Sequence, residues 1–227
     1  MLKRVSNKIG EQIINKKIGE QTMERTENMK VYWVEYRQKL NDLFDQVNID
    51  DVSKVLTTMI EAWKQRHTVY VCGNGGSAAT ASHMQVDFRY FIRHFSKFHP
   101  SIISITDHAP MMTAIGNDTD FLDVFKDQLK GNIHDGDVLI CISASGNSMN
   151  LVRAAQYAKT CGATTIAYVG FMGGPLKDVC DLSLFTPNPI GDYGPIEDLH
   201  MIYNHLMVNY LARDEEFQTL EEKYGYK

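Results

Sequence analysis

Five side chains in this sequence have the types and spacing for acid–base or metal chemistry. His83 and Asp87 stand four apart, so a helix would put them on one face. Glu197, His200 and His205 lie in a second helical segment, and residues eight apart on a helix point about 80° from each other. Glu197 and His205 can therefore face one cleft. Two imidazoles with two carboxylates suit Zn²⁺ or another divalent transition metal. From spacing alone, surface or capping histidines on two helices remain the plainer reading.

Two loops suggest a second kind of chemistry. Gly73-Asn74-Gly75-Gly76-Ser77 follows a short β-rich run. Ser143-Ala144-Ser145-Gly146-Asn147-Ser148 follows another. Each feeds a helical segment, and a helix N-terminus with free N–H groups and partial positive charge suits phosphate. Glycines allow a close backbone approach, and the hydroxyls of Ser143, Ser145 and Ser148 add donors. Either loop alone is more readily an ordinary turn than a phosphate site; the pair is the stronger signal. Neither has the GxGxxG or Walker A form, so a small phosphate ester is expected rather than a dinucleotide or ATP.

The elements that must hold these residues read as alternating strands and helices. Strands are expected at Thr68–Cys72, Ser101–Ile105, Asp137–Ile142, Thr164–Val169 and Leu182–Phe185. Helices are expected at Ser77–His94, Phe121–Leu129, Ser148–Lys159 and Ile196–Arg213. Two more precede the first strand, one from Met29 and one through Val52–Trp63. Short apolar strands without alternation belong to a parallel sheet covered on both faces. The fold class is thus α/β: a doubly wound, five-stranded parallel sheet of flavodoxin-like type with additional N-terminal helices. Residues 1–28 are polar and repeat Lys-Ile-Gly-Glu-Gln at 8–12 and 17–21. They are read as an N-terminal appendage, either helical, disordered or upstream sequence, with residues 29–227 as the domain proper. Met23 and Met29 are alternative starts.

The totals fit such a domain. The chain has 227 residues, 44% of them hydrophobic, and a formal net charge of -5. That balance argues against a nucleic-acid surface. No apolar stretch approaches the roughly 18 residues of a membrane span. Cys72, Cys141, Cys161 and Cys180 show no CxxC spacing and read as buried free thiols, so a reduced, cytoplasmic setting is expected.

The segments CGNGGSAATASH (72–83), AIGND (114–118) and DVLICISASGNSMNLVRA (137–154) resemble the sugar-isomerase (SIS) domain, and within it the phosphoheptose isomerases. The likeness covers about residues 30–212. It implies interconversion of sedoheptulose 7-phosphate and glycero-manno-heptose 7-phosphate without an organic cofactor. It also implies phosphate on Ser143, Ser145 and Ser148 with help from Asn74 and Ser77, and Asp118 near the sugar hydroxyls. His83, Asp87, Glu197 and His205 would hold a divalent metal, expected to be Zn²⁺, with Asp87 and His205 doing the proton transfer. A homotetramer with sites between subunits is implied too. Several positions depart from the family pattern. Asp87 stands for a glutamate one methylene longer; a 1 Å misplacement costs roughly 10²-fold in rate. Glu197 stands for a neutral glutamine, Ala144 lacks a hydroxyl, and Pro195 replaces a polar residue. These departures keep two rivals open: a non-catalytic phosphosugar or partner-binding protein, and an isomerase of another sugar. For the second, Arg89 or Arg93 in the aromatic stretch 88–93 would touch a substrate anion, unless the stretch is a subunit interface.

Overall fold

The computed structural model describes residues 2–224. The chain divides into two compact units, Met1–Asp42 and Leu43–Lys227. The first unit is helical, within α1 (Leu2–Phe44). Among its described side chains, Val31, Tyr32, Trp33 and Val34 are all exposed.

The second unit opens with α2 (Ile49–Lys64). Asn48 caps it by accepting from the Asp50 N–H at 3.1 Å, and acidic Asp50 and Asp51 in its first turn complement the helix dipole. Five parallel strands follow: β1 (Val69–Gly73), β2 (Ile102–Ser104), β3 (Val138–Ser143), β4 (Thr164–Val169) and β5 (Leu182–Phe185). Their spatial order is β2-β1-β3-β4-β5. Every residue of β1 and β3 is buried, as strands covered on both faces must be. Alternate residues feed two cores. Val69, Val71, Ile140, Ile142, Ile166 and Tyr168 pack with α2, α3 (Gly76–Arg89) and α8 (Tyr193–Leu211). Tyr70, Cys72, Leu139, Cys141 and Ala167 face α5 (Lys126–Leu129), α6 (Met149–Thr160) and α7 (Gly174–Val179). Cys72 and Cys141, paired across β1 and β3, are buried free thiols with sulfurs 3.7 Å apart.

The expected strands all form, β4 and β5 with the expected bounds and the other three displaced by one residue at each end. The expected helix at Phe121–Leu129 is broken instead. A 3-10 turn, Phe121–Asp123, is capped by Asp120 and hands over to the four-residue α5. The helix after β1 likewise stops at Arg89, and Phe91–His94 is a 3-10 turn. One further helix, α4 (Ala109–Asp118), buries no residue. Among the described residues no helix is long and apolar enough to cross a membrane.

Tyr168, His200, Asn204 and Tyr203 place polar groups inside the first core. His200 is 1% exposed, and burial holds its imidazole down at about 3 against an ordinary 6.5. The sign follows from proton counting. Between those two values the unfolded chain carries a proton that the folded chain does not, so stability falls as pH drops through the window. One such group costs up to roughly 1.4 kcal/mol per pH unit. The neighbouring phenols of Tyr168 and Tyr203 are pushed upward and do not titrate there. His200→Phe should therefore gain on wild type as pH falls from 6 to 4, read from urea midpoints at each pH. Parallel curves would mean that His200 does not make this contribution.

Candidate active site

β1 and β3 are neighbours in the sheet, with Cys72 opposite Cys141 and Gly73 opposite Ile142. Their carboxyl ends therefore bring the two Gly/Ser loops side by side, at the place where open α/β sheets bind ligands. The two loops are stitched together by a reciprocal amide pair. Asn74 Nδ2 donates to Asn150 Oδ1, and Asn150 Nδ2 donates to Asn74 Oδ1, each at 3.0 Å. Asn150 is buried and was not anticipated from the sequence; its place in the first turn of α6 was the available signal.

Both following helices begin without a side-chain cap. α3 starts from Gly75 with φ 54°, a left-handed conformation that glycine takes without penalty. α6 starts from Ser148, whose hydroxyl makes no capping bond. Ser143 Oγ accepts from the Gly146 N–H at 3.1 Å, and Ser145 Oγ accepts from the Asn147 N–H at 3.2 Å. These bonds shape the second loop and leave each hydroxyl proton available to an acceptor. The start of α7 supports it, with the Leu176 N–H donating to the Gly146 carbonyl at 3.1 Å. Ser77 is buried beneath Gly73, so it borders the first loop from within.

A second cluster lies across α3 and α8. His83 Nε2 and His205 Nε2 are 3.0 Å apart, and Asp87 Oδ2 is 3.2 Å from the first and 3.7 Å from the second. Asp87 Oδ2 is buried with no hydrogen-bond donor. The histidine side chains are about half exposed, 45% and 48%, so the cluster opens to solvent. A tetrahedral ion with bonds of about 2.0–2.1 Å holds its ligands roughly 3.3 Å apart. The three separations bracket that value, and an unpaired buried carboxylate oxygen between two imidazoles is what a cation would satisfy. The donors fit a divalent metal. The short Asp87 side chain reaches both imidazoles without a further methylene.

Glu197 is not part of that cluster. Its carboxylate lies against Gly76 at the start of α3, where a Cβ would be 2.4 Å from Glu197 Oε2. Burial, then the charge of Asp198, raises its pKa. Asp118 is exposed at the end of α4 and accepts from Asn117 Nδ2 at 2.7 Å; no bond joins it to either loop. Asp107, three residues past β2, accepts a hydrogen bond from Ser82 Oγ of α3. No motif marked it in the sequence. Arg93 stacks its guanidinium 3.5 Å over the Tyr90 ring.

An all-parallel doubly wound sheet with two uncapped helix starts at its switch point, and a His-Asp-His cluster on the adjoining helices, make an α/β protein with helix ends suited to an anion and a metal-competent centre. The chain belongs to the SIS domain family, whose model matches residues 35–170. It is 34% identical over 189 residues to the phosphoheptose isomerase of Clostridium acetobutylicum, covering 83% of this chain and 94% of that protein. It is 38% identical over 160 residues to the phosphoheptose isomerase of a Nitratiruptor species, covering 70% and 82%. Among solved structures, phosphoheptose isomerase GmhA from Neisseria gonorrhoeae superposes with a TM-score of 0.74 at 26% identity, over 83% of this chain and 99% of that one. A phosphoheptose isomerase from Francisella tularensis gives 0.72 at 22% identity, over 83% and 98%, and speaks to the fold alone.

Proposed function

We propose that this chain is a phosphosugar isomerase that interconverts sedoheptulose 7-phosphate and D-glycero-D-manno-heptose 7-phosphate by enediolate chemistry. The observation that carries the reading is the convergence of His83, Asp87 and His205 on α3 and α8, with α3 rising from the first of the two Gly/Ser loops at the carboxyl ends of β1 and β3. The names of its relatives point the same way.

The phosphate is assigned to Ser143, Ser145, Ser148 and the N–H groups at the start of α6. Asn74 and Ser77 border it from the first loop. Glu197 already places a carboxylate at the start of α3, which favours the second loop as the phosphate seat. Asp118 is assigned to the sugar hydroxyls. One of Asp87 and His205 removes the proton beside the carbonyl, and the other serves the oxygen, each through a lone pair that a cation does not hold; reprotonation at the neighbouring carbon completes the isomerisation. His83, Asp87 and His205 would hold a divalent cation, Zn²⁺ by donor type, which supplies polarisation of the carbonyl oxygen when bound. Glu197 is proposed as a further ligand only on leaving Gly76, which it touches and which lies two helical turns, about 10 Å, before His83 on α3. No organic cofactor is required.

A homotetramer with sites between subunits fits the exposure of the cluster. Ile202, Leu206 and Tyr210 flank His205 on α8 and are 36%, 43% and 56% exposed. A cytoplasmic setting is part of the proposal, and four free cysteines are compatible with it. The test is proton NMR of the purified protein with sedoheptulose 7-phosphate, after chelation and after Zn²⁺ is returned. Anomeric signals of the aldose phosphate that need the metal support the reading. Stable ketose in both samples, with phosphosugar bound, would leave a binding protein instead.

A further inference from the structure

The inner face of α8 holds a polar pair inside an apolar core. His200 and Asn204 are one turn apart, 1% and 0% exposed, among Ile196, Leu199, Met84 and Met207. Asn204 Nδ2 donates to the Thr80 carbonyl of α3 at 3.4 Å, while its Oδ1 is unpaired. Both ring nitrogens of His200 are unpaired, as is the hydroxyl of Tyr168, whose ring centroid lies 6.0 Å from the imidazole. The imidazole also senses the backbone of Val169, at the end of β4, without reaching hydrogen-bond geometry. The following residue, Gly170, donates to Ala144 in the second loop at 3.0 Å.

Unpaired buried polar atoms oppose folding, and leucine or phenylalanine would fill these positions more favourably. What apolar packing lacks is direction. Two apolar helix faces can slide on each other, and a one-residue slip moves a side chain 1.5 Å along the axis and turns it by 100°. Asn204 immediately precedes His205, and Thr80 lies one turn before His83. The bond between them therefore sits directly beneath the 3.0 Å approach of the two imidazoles.

We infer that Asn204 and the Thr80 carbonyl are a positioning pair that fixes the register of α8 on α3, and so assembles the His83–Asp87–His205 centre. The inference rests on reading that centre as a metal site. It predicts a trade of stability against site geometry that a purely structural residue would not show.

The test uses the full chain, metal-free, with Zn²⁺ alone as the probe. Zn²⁺ affinity is measured by competition with a chromophoric chelator, beside the thermal midpoint of the metal-free protein. Asn204→Leu should keep or raise that midpoint while Zn²⁺ affinity falls at least tenfold. With sedoheptulose 7-phosphate its kcat should fall at least tenfold with KM within threefold. Met207→Leu, on the same helix face, should change neither. If Asn204→Leu does not fold, Asn204→Ala removes the same donor without added volume and should show the same loss of affinity. Equal Zn²⁺ affinity in wild type and variant, or no binding by either, overturns the inference. Loss of affinity in the variant with no turnover by wild type would leave the positioning pair standing and remove the isomerase reading.

Discussion

His205→Ala is expected to lower kcat for sedoheptulose 7-phosphate by at least about 10³-fold with little change in the thermal midpoint. The estimate joins two losses. General acid–base catalysis contributes typically 10²–10⁴-fold, and charge stabilisation at the developing oxyanion a comparable factor. His205 Nε2 meets both His83 and Asp87, so its removal disables proton transfer and the metal centre together. The stability cost should be small because the side chain is 48% exposed. Asp87→Asn should be nearly as damaging, since it removes the charge between the imidazoles. Asp87→Glu should impair activity as well: the aspartate already reaches 3.2 Å from His83, and an added methylene has to displace one imidazole. Steady-state kinetics with the NMR assay decides these outcomes. A His205→Ala enzyme within tenfold of wild type would remove the cluster from the mechanism.

The second large effect is expected at Gly146→Ala. Gly146 has φ 65°, and a Cβ there would lie 1.9 Å from the Gly173 carbonyl oxygen and 2.6 Å from its carbon. Both partners are backbone, so no rotamer change relieves the overlap. The loop after β4 or the loop carrying Ser145 has to move. Either shift breaks the Leu176-to-Gly146 bond and displaces the phosphate seat. We expect kcat/KM to fall at least about 10²-fold, chiefly through KM, because misplacement by 1 Å costs about that much. Gly75→Ala is the matched control. Its φ is 54° and ψ -122°, a conformation L residues rarely adopt, but nothing lies within 4 Å, so backbone strain of roughly 1–3 kcal/mol applies without a clash. Inorganic phosphate protection of the thermal midpoint, compared between the two variants, separates a lost anion site from general destabilisation.

The sheet was legible because its strands are short apolar runs ended by glycine and serine, which leave little choice of element. The two loops were legible for the same reason. The short helices were not. α4 buries none of its residues, so it has no apolar stripe to read, and it begins on a His108 cap: Nδ1 accepts from the Met111 N–H at 3.1 Å. α5 is a single turn following a 3-10 segment, where periodicity has nothing to repeat. In the site, His83 and Asp87 could be paired from their spacing. Their meeting with His205 depends on how α3 crosses α8, which no local pattern encodes. Glu197 shows the limit of that reasoning: its angular position on α8 allowed it into the cleft, yet the close approach of Gly76 places its carboxylate at the start of α3. Asn150 and Asp107 act through partners far along the chain, so their roles appear only when the strands are assembled.

The central claim is proton transfer beside a carbonyl at the His83–Asp87–His205 centre. Its most direct measurement is incubation with sedoheptulose 7-phosphate and Zn²⁺ in deuterated water, following deuterium at the carbon next to the carbonyl by mass spectrometry. The account predicts incorporation of solvent deuterium together with the aldose phosphate, and loss of both in His205→Ala. A substrate that stays fully protonated while bound, or exchange that persists in His205→Ala, would contradict it.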